Sequence, residues 1–221
     1  MAAPVITMFG RGGHGAVPQN TVDPVVMAAR TVLALQTIVA RENNPLDPVV
    51  VTVGSIHGGT QGNIIPDQVR LELSVRTFSD EVRRRVLASI ERIARGEALA
   101  AGAPRDPLVE FANAGTGAVF NDPALTLRVA SALRAAMGQE RVVDMPAKMT
   151  SEDFSEYGRA GVPSVLLHIG AVSAAALADA RRTGIPVPAP HSPEWLPELE
   201  PTLTGAVQAE TAALIDLLPS R

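Results

Sequence analysis

Val69, Leu71, Leu73 and Val75 alternate with Arg70, Glu72, Ser74 and Arg76. Strand side chains point to opposite faces with period two, so this run builds a strand with one face in a core and one face polar. The apolar face of such a sheet must be covered by another layer. Asp23-Pro24 opens one candidate helix, because Asp caps and Pro at the first helical position loses only an orphan donor. Behind it Val25, Ala29, Val32, Leu33, Val39 and Ala40 recur at helical spacing, and the helix is expected to end between Arg41 and Asn44, ahead of Pro45. Ser79 or Asp80 caps a second helix, striped by Val82, Val86, Ile90, Ile93 and Ala94, with Arg83, Arg84, Glu91 and Arg92 off the stripe. Further strands are expected at 5–9, 49–56 and 106–112. The order is βαββαβ, which predicts a ferredoxin-like two-layer sandwich over residues 3–114, with two helices on one face of an antiparallel sheet.

A second region follows Gly115-Thr116-Gly117. Asp122-Pro123 opens a helix striped by Leu125, Val129, Leu133 and Met137. A strand over 141–145, a short helix over 150–157, a buried strand over 165–169, an alanine-rich helix over 171–180 and a terminal helix over 199–218 complete the reading. Two β–α alternations make half of an open α/β sheet, not a whole one. Met1 also leads almost at once into a strand, as expected of a chain that starts inside a larger architecture.

With 221 residues, 46% of them hydrophobic and 19% charged, the chain has the make-up of a globular protein with a sizeable core. A net charge of −4 argues against a surface that neutralises nucleic-acid phosphates. No basic segment leads into an apolar run at the N-terminus, and Arg30 and Gln36 interrupt the longest apolar stretch. Neither a signal peptide nor a membrane span is therefore expected, and the cytoplasm is the default compartment. The absence of cysteine removes disulfides and thiolate ligands.

Gly10 to Pro18 read GRGGHGAVP, whose first six residues match Gly-x-Gly-x-x-Gly. A dinucleotide site needs a helix launched directly from that loop and an acidic residue about 20 positions further on. Pro18 falls where the helix interior would be, and the downstream region reads Leu33-Ala34-Leu35-Gln36, so the nucleotide reading fails. Two readings remain. The stretch is a glycine-rich connection with an incidental histidine, or its glycines clear backbone aside so that His14 projects as a donor to a developing oxyanion.

GRGGHGAVP, Asp23-Pro24-Val25 and the helix end at 36–41 are followed in order by Gly58-Gly59, Asn63-Ile64-Ile65-Pro66-Asp67, Arg76-Thr77, Ser151-Glu152-Asp153-Phe154-Ser155 and His191-Ser192-Pro193. Together these resemble the bacterial and plant N-acyl-amino-acid amidohydrolases. That family includes hippurate hydrolase and the auxin-conjugate hydrolases, and is related to aminoacylase and the zinc carboxypeptidases among M20-type metallopeptidases. The resemblance implies a lid, or dimerisation, domain over 1–114 and the C-terminal half of an α/β catalytic domain over 115–221. It implies that His14 reaches the partner subunit's site to stabilise the tetrahedral oxyanion. It also implies that Asn63 and Arg76 bind polar substrate groups, above all the amino-acid carboxylate, that His191 is a metal ligand, and that Glu152 lies near the site. Taken alone, Asn63 equally suits a turn, Arg76 a solvated strand end, His191 a loop, and Glu152 with Asp153 the cap of the short helix. His57 and His168 match no ligand position; His168, inside an apolar run, is expected in the core. Trp195 falls where the family favours an aromatic residue.

The family's chemistry uses two divalent ions, zinc or manganese, and a glutamate base. Most of its ligands lie ahead of the lid, in a His-x-Cys-Gly-His-Asp motif, a Glu-Glu pair and a further histidine. Neither the motif nor the pair occurs here, and one histidine does not hold a catalytic metal that ordinarily takes three protein ligands. The expectation is part of a metal-dependent amidohydrolase cleaving hippurate-like N-acyl-amino-acid amides. It is homodimeric through the lid, has no nucleic-acid or membrane partner, and as this chain alone is inactive and holds no stable metal. The alternative is a non-catalytic dimerisation module or a small-molecule-binding module on the same sandwich.

Overall fold

The alternating run forms the centre of a four-stranded antiparallel sheet, in a computed structural model that describes residues 1–112 and 115–218. β1 (Ala3–Phe9), β3 (Val49–His57), β5 (Gln68–Thr77) and β6 (Leu108–Ala112) lie in the order β3-β5-β1-β6. The two-residue strands β2 (Gly13–His14) and β4 (Ile64–Ile65) make a separate ribbon. α1 (Pro24–Thr37), prolonged by a π-turn at Ile38–Glu42, and α2 (Asp80–Ala100) supply the second layer. Their buried residues join Ile6, Met8, Val69, Leu71, Leu73 and Val75 in one core. This is the expected βαββαβ sandwich with a ribbon added to it.

Both helices start as their caps require. The Asp23 carboxylate accepts from the N–H groups of Val25 and Val26, and the Ser79 hydroxyl from those of Glu81 and Val82. The α2 stripe is buried as expected. The α1 stripe is not. Pro24, Met27, Ala28, Thr31, Leu35 and then Ile38 face the core, while Val25, Leu33 and Val39 are 46%, 73% and 42% exposed. A helix apolar on most of its circumference carries two overlapping stripes, and periodicity alone does not say which one the sheet takes. For the same reason the span Pro24–Glu42 is long and apolar enough to cross a membrane, the interruptions at Arg30 and Gln36 notwithstanding. Here its buried side belongs to the sandwich core.

The chain forms two units, Met1–Val119 with Ala147–Ala160, and Phe120–Pro146 with Gly161–Arg221. The boundary expected at 114 lies outside the described residues. The first unit takes up α4 (Ser155–Arg159); the second holds α3 (Pro123–Met137), α5 (Ala174–Thr183) and α6 (Leu199–Leu217). α3 and α6 pack around Val129, Leu133 and Ala209, as the α3 stripe requires. The strands expected at 141–145 and 165–169 are absent, and the first of these runs starts with the end of a 3-10 turn at Gln139–Arg141. A strand needs a paired neighbour, and among the described residues the second unit contains no strand. Leu166 instead gives its N–H to Asn121 Oδ1 at 2.9 Å and receives Asn121 Nδ2 on its carbonyl at 3.1 Å. His168 is exposed rather than in a core.

Candidate functional site

The β2–β4 ribbon sets Gly13 opposite Ile65 and His14 opposite Ile64, and the Gly15 N–H donates to the Asn63 carbonyl at 2.8 Å. His14 and Asn63 therefore sit side by side at one end of the sheet. The glycines permit that closeness: a Cβ added at Gly10 would lie 2.2 Å from the Val22 carbonyl, and one at Gly12 2.6 Å from that of Ile65. The stretch is not a phosphate cradle, because Asp23 already occupies the leading N–H groups of α1. His14 is exposed, and its Nδ1 accepts from the Ala16 N–H at 3.1 Å. In a neutral imidazole that bond places the proton on Nε2, at the other edge of the ring. An open hollow of about 430 Å³ adjoins the ribbon, lined by Gly15, Val25, Asn63 and the 58–62 loop.

Arg76 lies near the far end of β5, opposite Val50, and its Nη1 donates to the Met149 carbonyl at 2.7 Å. The segment 147–160 also carries Glu152, which is exposed and whose carbonyl accepts from Ser155 Oγ at 3.3 Å. Thr116 Oγ1 and Ser151 Oγ share a hydrogen bond of 2.7 Å, and Arg159 pairs with Asp80 at 3.2 Å, fastening this segment to the first unit. The cap expected from Glu152 or Asp153 does not form. Phe154 is the N-cap of α4 without a side-chain bond, and Asp153 offers only its carbonyl, to the Glu156 N–H. Eight residue steps along β5 separate Gln68 from Arg76, about 26 Å at 3.3 Å per residue. The ribbon lies beyond the Gln68 end, since Phe9 faces Gln68 and the chain runs on from there to β2. The fold thus joins His14 with Asn63, and Arg76 with the segment of Glu152, at opposite ends of the sheet.

His191 belongs to the second unit and is exposed. The Ser192 N–H donates to the Ala189 carbonyl at 3.0 Å, and His191 itself has φ 74°. Pro190 followed by a positive φ is the signature of a type II turn, whose third residue is usually glycine. Among the described residues His191 is the one non-glycine residue with positive φ. The backbone N–H of the half-buried Trp195 donates to the Ser192 carbonyl at 3.0 Å, closing the next turn. Among the described residues no three His, Cys, Asp or Glu side chains are grouped to hold a metal ion. His191 by itself does not fit a catalytic metal centre.

One residue at the ribbon had no role assigned from sequence. Asp67 accepts the Gly12 N–H on Oδ1 at 2.9 Å and the Gly10 N–H on its carbonyl at 2.8 Å. Its place directly after Pro66 was the available signal.

Residues 2–101 match the model of the M20 peptidase dimerisation domain. Over 97% of its length the chain superposes, with TM-score 0.74 and 30% identity, on 50% of a putative aminohydrolase from methicillin resistant Staphylococcus aureus. Residues 2–101 belong to the M20 dimerisation-domain family. A Bacillus subtilis structure described as a dinuclear metal binding peptidase from the M20 family is matched over 97% of this chain and 50% of its own, at 25% identity and TM-score 0.63. Among curated M20 relatives, the N-acetyl-L-cysteine deacetylase of Bacillus subtilis (strain 168) is 39% identical over 156 residues, 69% of this chain and 35% of the relative. The chain thus spans between a third and a half of the length of these M20 proteins.

Proposed function

We propose that this chain forms the dimerising lid and part of the catalytic unit of a metal-dependent hydrolase of N-acyl-amino-acid amides, whose site is completed by a second copy and by metal donors this chain does not group. The separation of His14 from Arg76 carries the reading. An N-acyl amino acid is on the order of 10 Å long, well short of the roughly 26 Å between the two ends of β5. One lid cannot place both residues on one substrate; two lids related by a two-fold axis can.

In this reading His14 gives its Nε2 proton as a hydrogen bond to the oxyanion, and Asn63 beside it binds a polar group of the same substrate. Arg76, with one nitrogen anchored on Met149, turns the rest of its guanidinium to the amino-acid carboxylate. That arginine comes from the other subunit. Glu152 lies in the segment Arg76 anchors, near the site. His191 would be one ligand of a pair of divalent ions, zinc or manganese, which would supply Lewis-acid chemistry when bound. The match to a deacetylase of an N-acetyl amino acid supports the substrate class, and among the described residues no three metal-donor side chains are grouped. The purified chain with added zinc or manganese is therefore expected to leave hippurate-like amides intact. Metal-dependent turnover by the chain alone would show that its own residues suffice.

A further inference from the structure

We propose that Asp67 is a positioning residue that decides where His14 points. Along the entry to the ribbon the register changes by one. Phe9 faces Gln68, whereas Gly13 faces Ile65, so four steps on one strand match three on the other. Arg11 and Gly12 together oppose Pro66, as a β-bulge. Pro66 has no N–H to continue the ladder, and both bulged residues need acceptors for their own. Arg11 exchanges two backbone bonds of 2.9 Å with Val22. Gly12 gives its N–H to the Asp67 carboxylate at 2.9 Å, while the Asp67 carbonyl takes the Gly10 N–H at 2.8 Å. Asp67 thus holds the strand on both sides of the bulge. The space is so tight that a Cβ on Gly12 would lie 3.0 Å from Asp67 Oδ1.

The bulge sets the direction of the imidazole. If the Phe9–Gln68 register simply continued, His14 would stand opposite Asn63 instead of Ile64, with its side chain on the other face of the ribbon. The consequence for hydrolysis rests on the role proposed for His14 above; the positioning itself does not.

The test compares Asp67→Ala and Asp67→Asn with the unaltered full chain. Asn keeps a side-chain carbonyl for Gly12 and Ala does not. By NMR, Asp67→Ala is expected to lose about tenfold or more of the exchange protection of the Gly12 amide and to replace the single set of His14–Ile64 contacts by several; Asp67→Asn keeps both. In the metal-loaded assembled enzyme, Asp67→Ala is expected to lower kcat about 100-fold with KM changed less than about threefold, and Asp67→Asn to restore kcat to within about fivefold. If Asp67→Ala does not fold, Asp67→Ser decides on the same two NMR readouts: its hydroxyl is one bond shorter than the carboxylate, so Gly12 protection must fall and the His14–Ile64 contacts must multiply. Unchanged Gly12 protection and His14–Ile64 contacts in Asp67→Ala or, where that variant fails to fold, in Asp67→Ser, or an Asn variant no better than Ala, overturns the proposal. NMR changes as expected with kcat indifferent to both Asp67→Ala and His14→Ala would uphold the positioning and reject the hydrolytic role of His14.

Discussion

His14 and Arg76 are held by different means. The imidazole is set through its backbone: its strand is pinned to 63–67, with the Asp67 carboxylate holding the Gly12 N–H, and its Nδ1 is engaged by the Ala16 N–H. The guanidinium is set by one bond to a carbonyl in a segment more than 70 residues downstream. A pre-oriented donor serves a developing charge better than a flexible one, because no reorganisation is needed as the charge forms. Replacing His14 by Ala is thus expected to lower kcat by about 10²–10³-fold with little change in KM, measured by steady-state kinetics on the assembled, metal-loaded enzyme. His191 is the opposite case at this scale. Its Pro-His-Ser context and its likeness to a ligand position were visible in sequence, but its left-handed backbone was not, because even for histidine a positive φ is uncommon and the type II turn after Pro190 usually signals itself by glycine.

Elements were legible where burial is one-sided. β5 and α2 each bury the residues that period two and period 3.6 pick out, because each also carries charges that mark its wet face. α1 has few such charges, and the expected stripe was displaced around its circumference. The observed stripe makes a paired prediction: Leu35→Ala is expected to cost about 2–5 kcal/mol of unfolding free energy and Leu33→Ala within about 0.5 kcal/mol, read from denaturant curves. The end of the same helix is tied to α2 by Glu42, which accepts from Arg92 at 2.6 and 2.7 Å and from Ser89 at 2.8 Å. The Arg92 bond chiefly, and then Ser89, hold the Glu42 carboxyl below the usual glutamate range. A carboxyl lowered in the folded state adds stability that is present above its unfolded range and is lost as pH falls through the folded value. Glu42→Gln should therefore lower the melting temperature near neutral pH, by an amount equivalent to at most about 1 kcal/mol for so exposed a pair, and the difference should vanish in acid. The strands expected at 141–145 and 165–169 failed for another reason: apolar runs report burial potential, while strand formation needs a partner strand.

For the whole molecule, the two units differ in how much core they have. The first gathers a continuous core between sheet and helices, whereas the second buries Val129, Leu133 and Ala209 and leaves Leu199, Leu203, Val207 and Ile215 of α6 exposed. Exposed apolar surface on that scale marks an interaction face, in keeping with the proposal that this chain supplies only part of a catalytic unit. The ordered motifs made the family legible from sequence, and with it the expectation that His14 serves a partner's site; the separation of Asn63 from Arg76 was not legible, because motif order says nothing of distance. Mixing decides it. His14→Ala and Arg76→Ala variants of the assembled enzyme are each expected to be nearly inactive. In a mixed dimer, one site combines the intact Arg76 of one subunit with the intact His14 of its partner. After equal mixing and exchange, about a quarter of all sites should be whole, and activity should return to about a quarter of the unaltered level. A mixture no more active than either variant alone would contradict a site shared between two subunits.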